Sequence, residues 1–259
     1  MKNLYLAEVK RELARQPISQ GEVITEKDLA PLPEPVQRFF RHCGYLGQCR
    51  MNQAEIVWQE VKFKSSPRAK WMKLNCYQFN SVLPPTRIVY MKSNLLGLFP
   101  LEGRDKYQDG QGHMLIKLLK YIPIADARGR EMDASCLVTL LAECFLLPAY
   151  ALQDYIKWTA VDEYCAQAEL TYRDTTVSGL FFFNPQGEFT RFVTEDRYYS
   201  EKGGTYKKMK WSAVADNYRE INGLRLPTFF KGIWHTEKGD YEYFQGSIKG
   251  VKTPQLELN

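Results

Sequence analysis

The sequence predicts a mainly β (α+β) fold: a strongly curved antiparallel sheet or open barrel wrapped around a buried apolar helix, with short N-terminal helices. Three observations carry this expectation. From about Arg50 onward apolar and polar residues alternate with period two. Ala166, Ala168, Leu170 and Tyr172 interleave with Gln167, Glu169, Thr171 and Arg173, which gives a strand one buried and one wet face. Turn signals recur at Asn184-Pro-Gln-Gly187, Lys202-Gly-Gly204, Asn222-Gly223 and Glu237-Lys-Gly-Asp240, each too short for a crossover helix, so consecutive strands must be antiparallel neighbours. One segment, Asp133 to Tyr155, departs from this pattern. Its Leu137, Val138, Leu140, Leu141, Cys144, Phe145, Leu146 and Leu147 cover nearly all sides of a helix, which must therefore be surrounded.

In chain order, Met1 to Arg15 reads as a short amphipathic helix; charges interrupt its apolar positions and no small-residue cleavage site follows, unlike a secretory signal. Thr25-Glu-Lys-Asp28 has the spacing of a capping box with Asp as its acid, and Leu32-Pro-Glu-Pro-Val-Gln-Arg-Phe-Phe40 follows. Two short helices separated near Pro33 and ending at Gly44 are expected. Residues 1–48 then form a helical segment packed on a single curved β domain of residues 49–259, into which the helix of about 133–155 is inserted with Asp133 as its cap. Strand twist bends a meander of this length into a curved sheet or partly closed barrel. Gly110-Gln-Gly-His113 reads as a strand-joining turn.

The composition is that of a soluble protein with a large core, 44% hydrophobic, 14% aromatic and 25% charged. The longest apolar run, Leu137 to Leu152, is shorter than a bilayer requires and contains Glu143 and Pro148. Six cysteines without a CxxC pair, in a chain without a secretory signal, are expected as reduced thiols in a cytoplasmic protein. No metal site and no cofactor are expected. The sequence has no Gly-x-Ser-x-Gly elbow, phosphate-binding glycine loop or His-Glu-x-x-His helix.

Candidate site residues come from charges in apolar company. Glu143 is the only charged residue between Asp133 and Asp154, so it needs an arginine partner or a proton. In Leu101-Glu-Gly-Arg-Asp-Lys-Tyr-Gln108, alternation puts Asp105 with Leu101 and Tyr107 on the inward face, opposite Glu102, Arg104, Lys106 and Gln108. Arg197 shares a strand face with Phe189, Val193 and Tyr199, though Phe192 and Tyr198 on the other face leave the inward side open. Asp105, Tyr107, Glu143 and Arg197 are thus candidate ligand-binding residues; no catalytic residue is assigned. Val61 to Leu101 contains no acid and seven basic residues, so the formal +5 of the chain leaves −2 elsewhere. Lys62, Lys64, Arg68, Lys70 and Lys73 there offer a surface to an anionic partner, and Trp71, Tyr77 and Phe79 are interleaved with the basic residues, either as core or as stacking groups. No specific nucleic-acid partner is expected.

Several blocks together resemble a bacterial family of uncharacterised proteins: Leu32-Pro-Glu-Pro-Val-Gln-Arg-Phe39, Arg104-Asp-Lys-Tyr-Gln-Asp-Gly-Gln-Gly-His-Met114, Leu141-Ala-Glu143 with Pro148 and Trp158, and Trp211 with Asp216-Asn-Tyr-Arg-Glu-Ile-Asn-Gly-Leu-Arg-Leu-Pro227 and Trp234. An arginine one turn before the helical glutamate in that family is Thr139 here. The family is similar to the lipoprotein-localisation-factor (LolA/LolB-like) group, most of all in the Tyr218 to Pro227 hairpin. The resemblance implies an open, strongly curved antiparallel sheet closed by helices over an apolar cavity, and hence a lipid or other apolar small molecule as ligand. It implies no activity. Three readings stand: a binding module for such a ligand, a hydrolase or isomerase using Asp105 and Glu143, or a scaffold that meets an anionic membrane or nucleic acid through residues 61–101.

Overall fold

The computed structural model describes residues 1–15, 22–95, 97–200 and 204–252. The first meander comprises β1 (Gln53–Phe63), β2 (Met72–Ser81), β3 (Thr86–Leu95), β4 (Phe99–Gln108), β5 (Gln111–Leu118) and β6 (Ile122–Ala127). The second comprises β7 (Ile156–Asp162), β8 (Cys165–Tyr172), β9 (Thr175–Phe183), β10 (Phe189–Thr194), β11 (Tyr198–Ser200), β12 (Tyr206–Lys208), β13 (Trp211–Ile221), β14 (Leu224–Thr236) and β15 (Gly239–Lys252). All but β11 and β12 form one 13-stranded sheet in the order β6-β5-β4-β3-β2-β1-β15-β14-β13-β10-β9-β8-β7. Every pairing in it is antiparallel, as the short turns require. The two meanders meet where β1 pairs with β15, Ile56 opposite Val251 and Phe63 opposite Phe244. Among the described residues β6 and β7 pair on one side only, so the curved sheet is open.

The expected turns at residues 184–187, 222–223 and 237–240 join β9 to β10, β13 to β14 and β14 to β15. The one at Lys202-Gly-Gly204 falls largely outside the described residues. Helices α1 (Lys2–Arg15), α2 (Glu26–Leu29) and α3 (Glu34–His42) precede the sheet. Thr25 N–H and Oγ1 both donate to Asp28 Oδ2, at 2.8 and 2.7 Å, and Gly44 ends the segment in the left-handed region at φ 80°.

The apolar helix is shorter than its sequence pattern suggests. α4 spans Arg130–Ala142 and is followed by tight 3₁₀ turns at Cys144–Leu146 and Pro148–Leu152. Pro148 cannot continue an α-helix, and Gly129, at φ 103°, starts α4 before Asp133. Asp133 is therefore not the cap; its Oδ1 accepts the Gly112 N–H at 2.6 Å and ties α4 to β5. The approach is so close that a Cβ on Gly112 would lie 2.4 Å from the Met132 carbonyl oxygen. α4 crosses the concave side of the sheet, in contact with β4, β5, β9 and β11. Leu137, Val138, Leu140 and Leu141 are fully buried there. Below α4, Phe145 is packed by Phe39 of α3, Phe181, Phe183, Phe189 and Trp158, with ring centroids 4.4–5.9 Å apart. At 13 residues α4 is about 20 Å long, and no helix among the described residues is long and apolar enough to cross a membrane.

The convex face differs from a wet one. α1 lies on it over β3 and β4 and buries the polar phase of β4. Glu8 accepts hydrogen bonds from Arg104 and Lys106, both at 2.9 Å, Gln108 donates to Glu12, and Arg104 also donates to His113 Nδ1. Tyr5, Phe79, Ile88 and Tyr90 form the apolar part of this contact.

Candidate functional site

The concave side holds a chain of buried polar groups beside the end of α4. Arg87 on β3 donates from Nε and Nη2 to the two oxygens of Glu143, at 2.8 and 3.0 Å, and from Nη1 to Asp105 Oδ2 at 2.7 Å. Gln78 on β2 donates to Glu143 Oε2 at 2.7 Å and to Asn80 at 2.8 Å, while its own oxygen accepts the Trp58 indole N–H at 2.9 Å. Cys136 on α4 points its thiol at Asp105 Oδ1, 3.5 Å away. Burial works against the Arg87 charge, but the carboxylates of Glu143 and Asp105 outweigh it and hold the guanidinium protonated above its ordinary range. Burial, reinforced by Asp105, pushes the Cys136 thiol well above its usual value. Each carboxylate thus serves an arginine, and the thiol stays protonated. This arrangement fixes α4 to the sheet.

Asp105 and Glu143 are therefore brought together, with Arg87 between them. Tyr107 lies apart, fully buried, its ring edge-on to Tyr172 at 6.4 Å and its hydroxyl without a hydrogen-bond partner among the described residues. Arg197, between β10 and β11, turns inward beneath α4. Its guanidinium stacks over Trp211 at 4.3 Å and faces Trp234 at 5.6 Å, and it donates to Thr139 Oγ1 and, at 3.4 Å, to the Ser135 carbonyl. No carboxylate among the described residues lies within ion-pair distance of it. Thr139 thus receives an arginine from the segment between β10 and β11. Arg87, Gln78 and Trp58 were not among the expected site residues. Arg87 is one of the seven basic residues of the 61–101 stretch, and the strand phase it shares with Val89 and Met91 is the signal that sets it apart.

A separate apolar pocket of about 170 Å³ opens below the 3₁₀ turns. Leu146, Leu147 and Ala149 form one wall, Leu224, Leu226 and Val251 another, and Gln48, Cys49 and Asn222 add polar groups to its lining. None of the four expected ligand-binding residues lines it. No cluster of three or more metal-ligating side chains occurs among the described residues.

The blocks that position these groups, from the α3 segment through the β14 hairpin, fall within residues 22–246, which match the model of a family of unknown function, DUF6544. The chain belongs to this family. α1, with its charged contacts on the convex face, precedes the matched region. No curated protein matches the chain. Among solved structures, a LolA superfamily protein from Nitrosomonas europaea is 11% identical over 85% of this chain and 94% of its own, with a TM-score of 0.45. A putative outer membrane lipoprotein-sorting protein domain from Vibrio parahaemolyticus is 9% identical over 80% of this chain and 87% of its own, with a TM-score of 0.44. A DUF1329 family protein from Desulfovibrio piger is 10% identical over 88% and 95%, with a TM-score of 0.44.

Proposed function

We propose that this member of DUF6544 is a binding module for an apolar small molecule or the end of an acyl chain. The observation that carries the reading is the pocket beneath the 3₁₀ turns, about 170 Å³ and walled chiefly by aliphatic side chains. A dry apolar void of about 150 Å³ takes up benzene, so this one accommodates a ring or a short run of methylenes. The rest of a longer ligand would leave past Gln48 and Asn222. The buried ion-pair chain around Arg87 holds the wall in place and is not asked to perform chemistry.

Native mass spectrometry of the purified protein tests the reading, with titration of a fluorescent fatty-acid analogue and competition by octanoate and palmitate. Wild type is expected to carry or take up one such ligand, and Ala149→Phe, which fills the pocket, to lose it while keeping its circular dichroism. Absence of uptake by wild type, or equal uptake by Ala149→Phe, overturns the proposal.

A further inference from the structure

One corner of the sheet is built unlike the rest of the surface. Seven of the twelve exposed large apolar side chains among the described residues gather at two adjacent hairpin tips: Leu95, Leu98 and Phe99 at β3–β4, and Leu119, Tyr121, Ile122 and Ile124 at β5–β6. The tips touch, since the Leu119 N–H donates to the Pro100 carbonyl at 2.8 Å and Leu101 pairs with Leu118. Leu98 is 77% exposed and Tyr121 83%, so these side chains project into solvent instead of capping the core. Scattered surface leucines are ordinary, but a contiguous apolar patch marks an interaction surface.

The charge around the patch identifies what it meets. A groove of about 530 Å³ leads from Leu95 and Gly97 to Lys70, Trp71, Lys73 and Lys92, and no carboxylate lines it. Lys117 and Lys120 flank the second tip, and neither Val61 to Leu101 nor Gln111 to Ala125 contains an acid. Arg87 on β3 is buried in its ion pairs and takes no part. Projecting aliphatic side chains above a collar of lysines match the two layers of a lipid bilayer surface, with hydrocarbon within and anionic headgroups at the level of the lysines. A nucleic acid would use the lysines but gives Leu98, Ile122 and Ile124 nothing to enter.

We propose that the β3–β4 and β5–β6 tips form a docking surface for an anionic lipid bilayer, with Leu98, Tyr121, Ile122 and Ile124 entering the interface and Lys70, Lys73, Lys92 and Lys120 against the headgroups. This stands independently of the apolar pocket, from which no tip residue is drawn.

Co-sedimentation of the full chain with vesicles tests it. The protein is expected to bind vesicles of phosphatidylcholine and phosphatidylglycerol, to bind pure phosphatidylcholine far less, and to lose affinity as salt rises. Leu98→Asp and Ile124→Asp are each expected to lower partitioning about tenfold or more, and each of Lys70→Glu, Lys73→Glu and Lys92→Glu at least about fivefold, the loss for about 1 kcal/mol per lysine. Val161→Asp, at an exposed apolar position on β7, leaves partitioning unchanged, and circular dichroism verifies that each variant is folded. No binding at low ionic strength, undiminished binding by Leu98→Asp, or retention on a single-stranded oligonucleotide without vesicle binding overturns the proposal.

Discussion

Arg87 and Glu143 form a two-pronged ion pair, Nε and Nη2 to the two carboxylate oxygens at 2.8 and 3.0 Å, that joins strand β3 to the residue just past α4. Both side chains are largely buried, 11% and 15% exposed, and Asp105 takes the third donor of the same guanidinium. Replacing Arg87 by Met leaves two carboxylates facing each other without a cation. Removing one partner of such a network costs about 3–5 kcal/mol. Urea denaturation is expected to show a loss of this size for Arg87→Met, and a smaller one for the combined Arg87→Met, Asp105→Asn, Glu143→Gln variant, in which no charge is left unpaired. Equal losses in the two would mean that the pairing itself contributes little.

Gly112 sets how closely α4 can approach β5. A methyl there meets backbone of α4 at Met132 and Asp133, which has no flexible end to move aside. Gly112→Ala is expected to cost about 1–3 kcal/mol, as overpacking does, and to lower the melting temperature. Gly250→Ala, with nothing within 4 Å of the added carbon, should change it little.

His113 gives the fold a weak point in mild acid. The Arg104 guanidinium only donates, so His113 Nδ1 accepts from it, and Nε2 carries the proton toward Asp126 Oδ1 at 2.7 Å. Burial lowers the His113 pKa below its ordinary 6.5, Asp126 opposes this, and Arg104 adds to the lowering. The unfolded chain therefore binds the proton first. The His113 contribution is complete above about pH 6.5 and is lost as the pH falls through the lower folded value. Urea midpoints measured between pH 7.5 and 5 should fall more steeply for wild type than for His113→Gln; parallel profiles would sink the assignment.

Thiol reactivity should be confined. Cys49 is exposed and Cys76 half-buried, and the other four are buried; desolvation pushes Cys43 and Cys76 up to about 12 and Cys136 and Cys144 well beyond their usual value. Titration with a disulfide reagent at pH 8 is expected to show a fast phase that Cys49→Ser abolishes, a slower one from Cys76, and reaction of the four buried thiols only on unfolding. A fast phase that survives Cys49→Ser refutes this.

The meander was legible in the sequence because turn residues and period-two alternation act locally; the strands around Ala166 to Arg173 and the turns at Asn184 and Asn222 stand where that pattern puts them. That Glu143 needs either an arginine partner or a proton was legible for the same reason, since a lone charge in an apolar helix has few solutions. Which of the two applies, and the identity of the partner, was not, because Arg87 lies on a strand far away in sequence and its apolar strand phase shows only that it turns inward, not what it meets. The burial of Glu102, Arg104 and Gln108 was hidden as well. Their alternation gives a wet face until α1 covers it, and a helix of mixed charge does not reveal which surface it will choose.

The seam at which Ile56 faces Val251 also constrains synthesis. A nascent chain grows at about 5–20 residues per second, so β1 waits about 10–40 s for the strand that completes its pairing. For that interval Ile56, Val57 and Trp58 sit on an open edge of a half-built sheet, the kind of edge that recruits other chains. In a cell, β1 is the segment a holdase would have to shield until translation has passed β15.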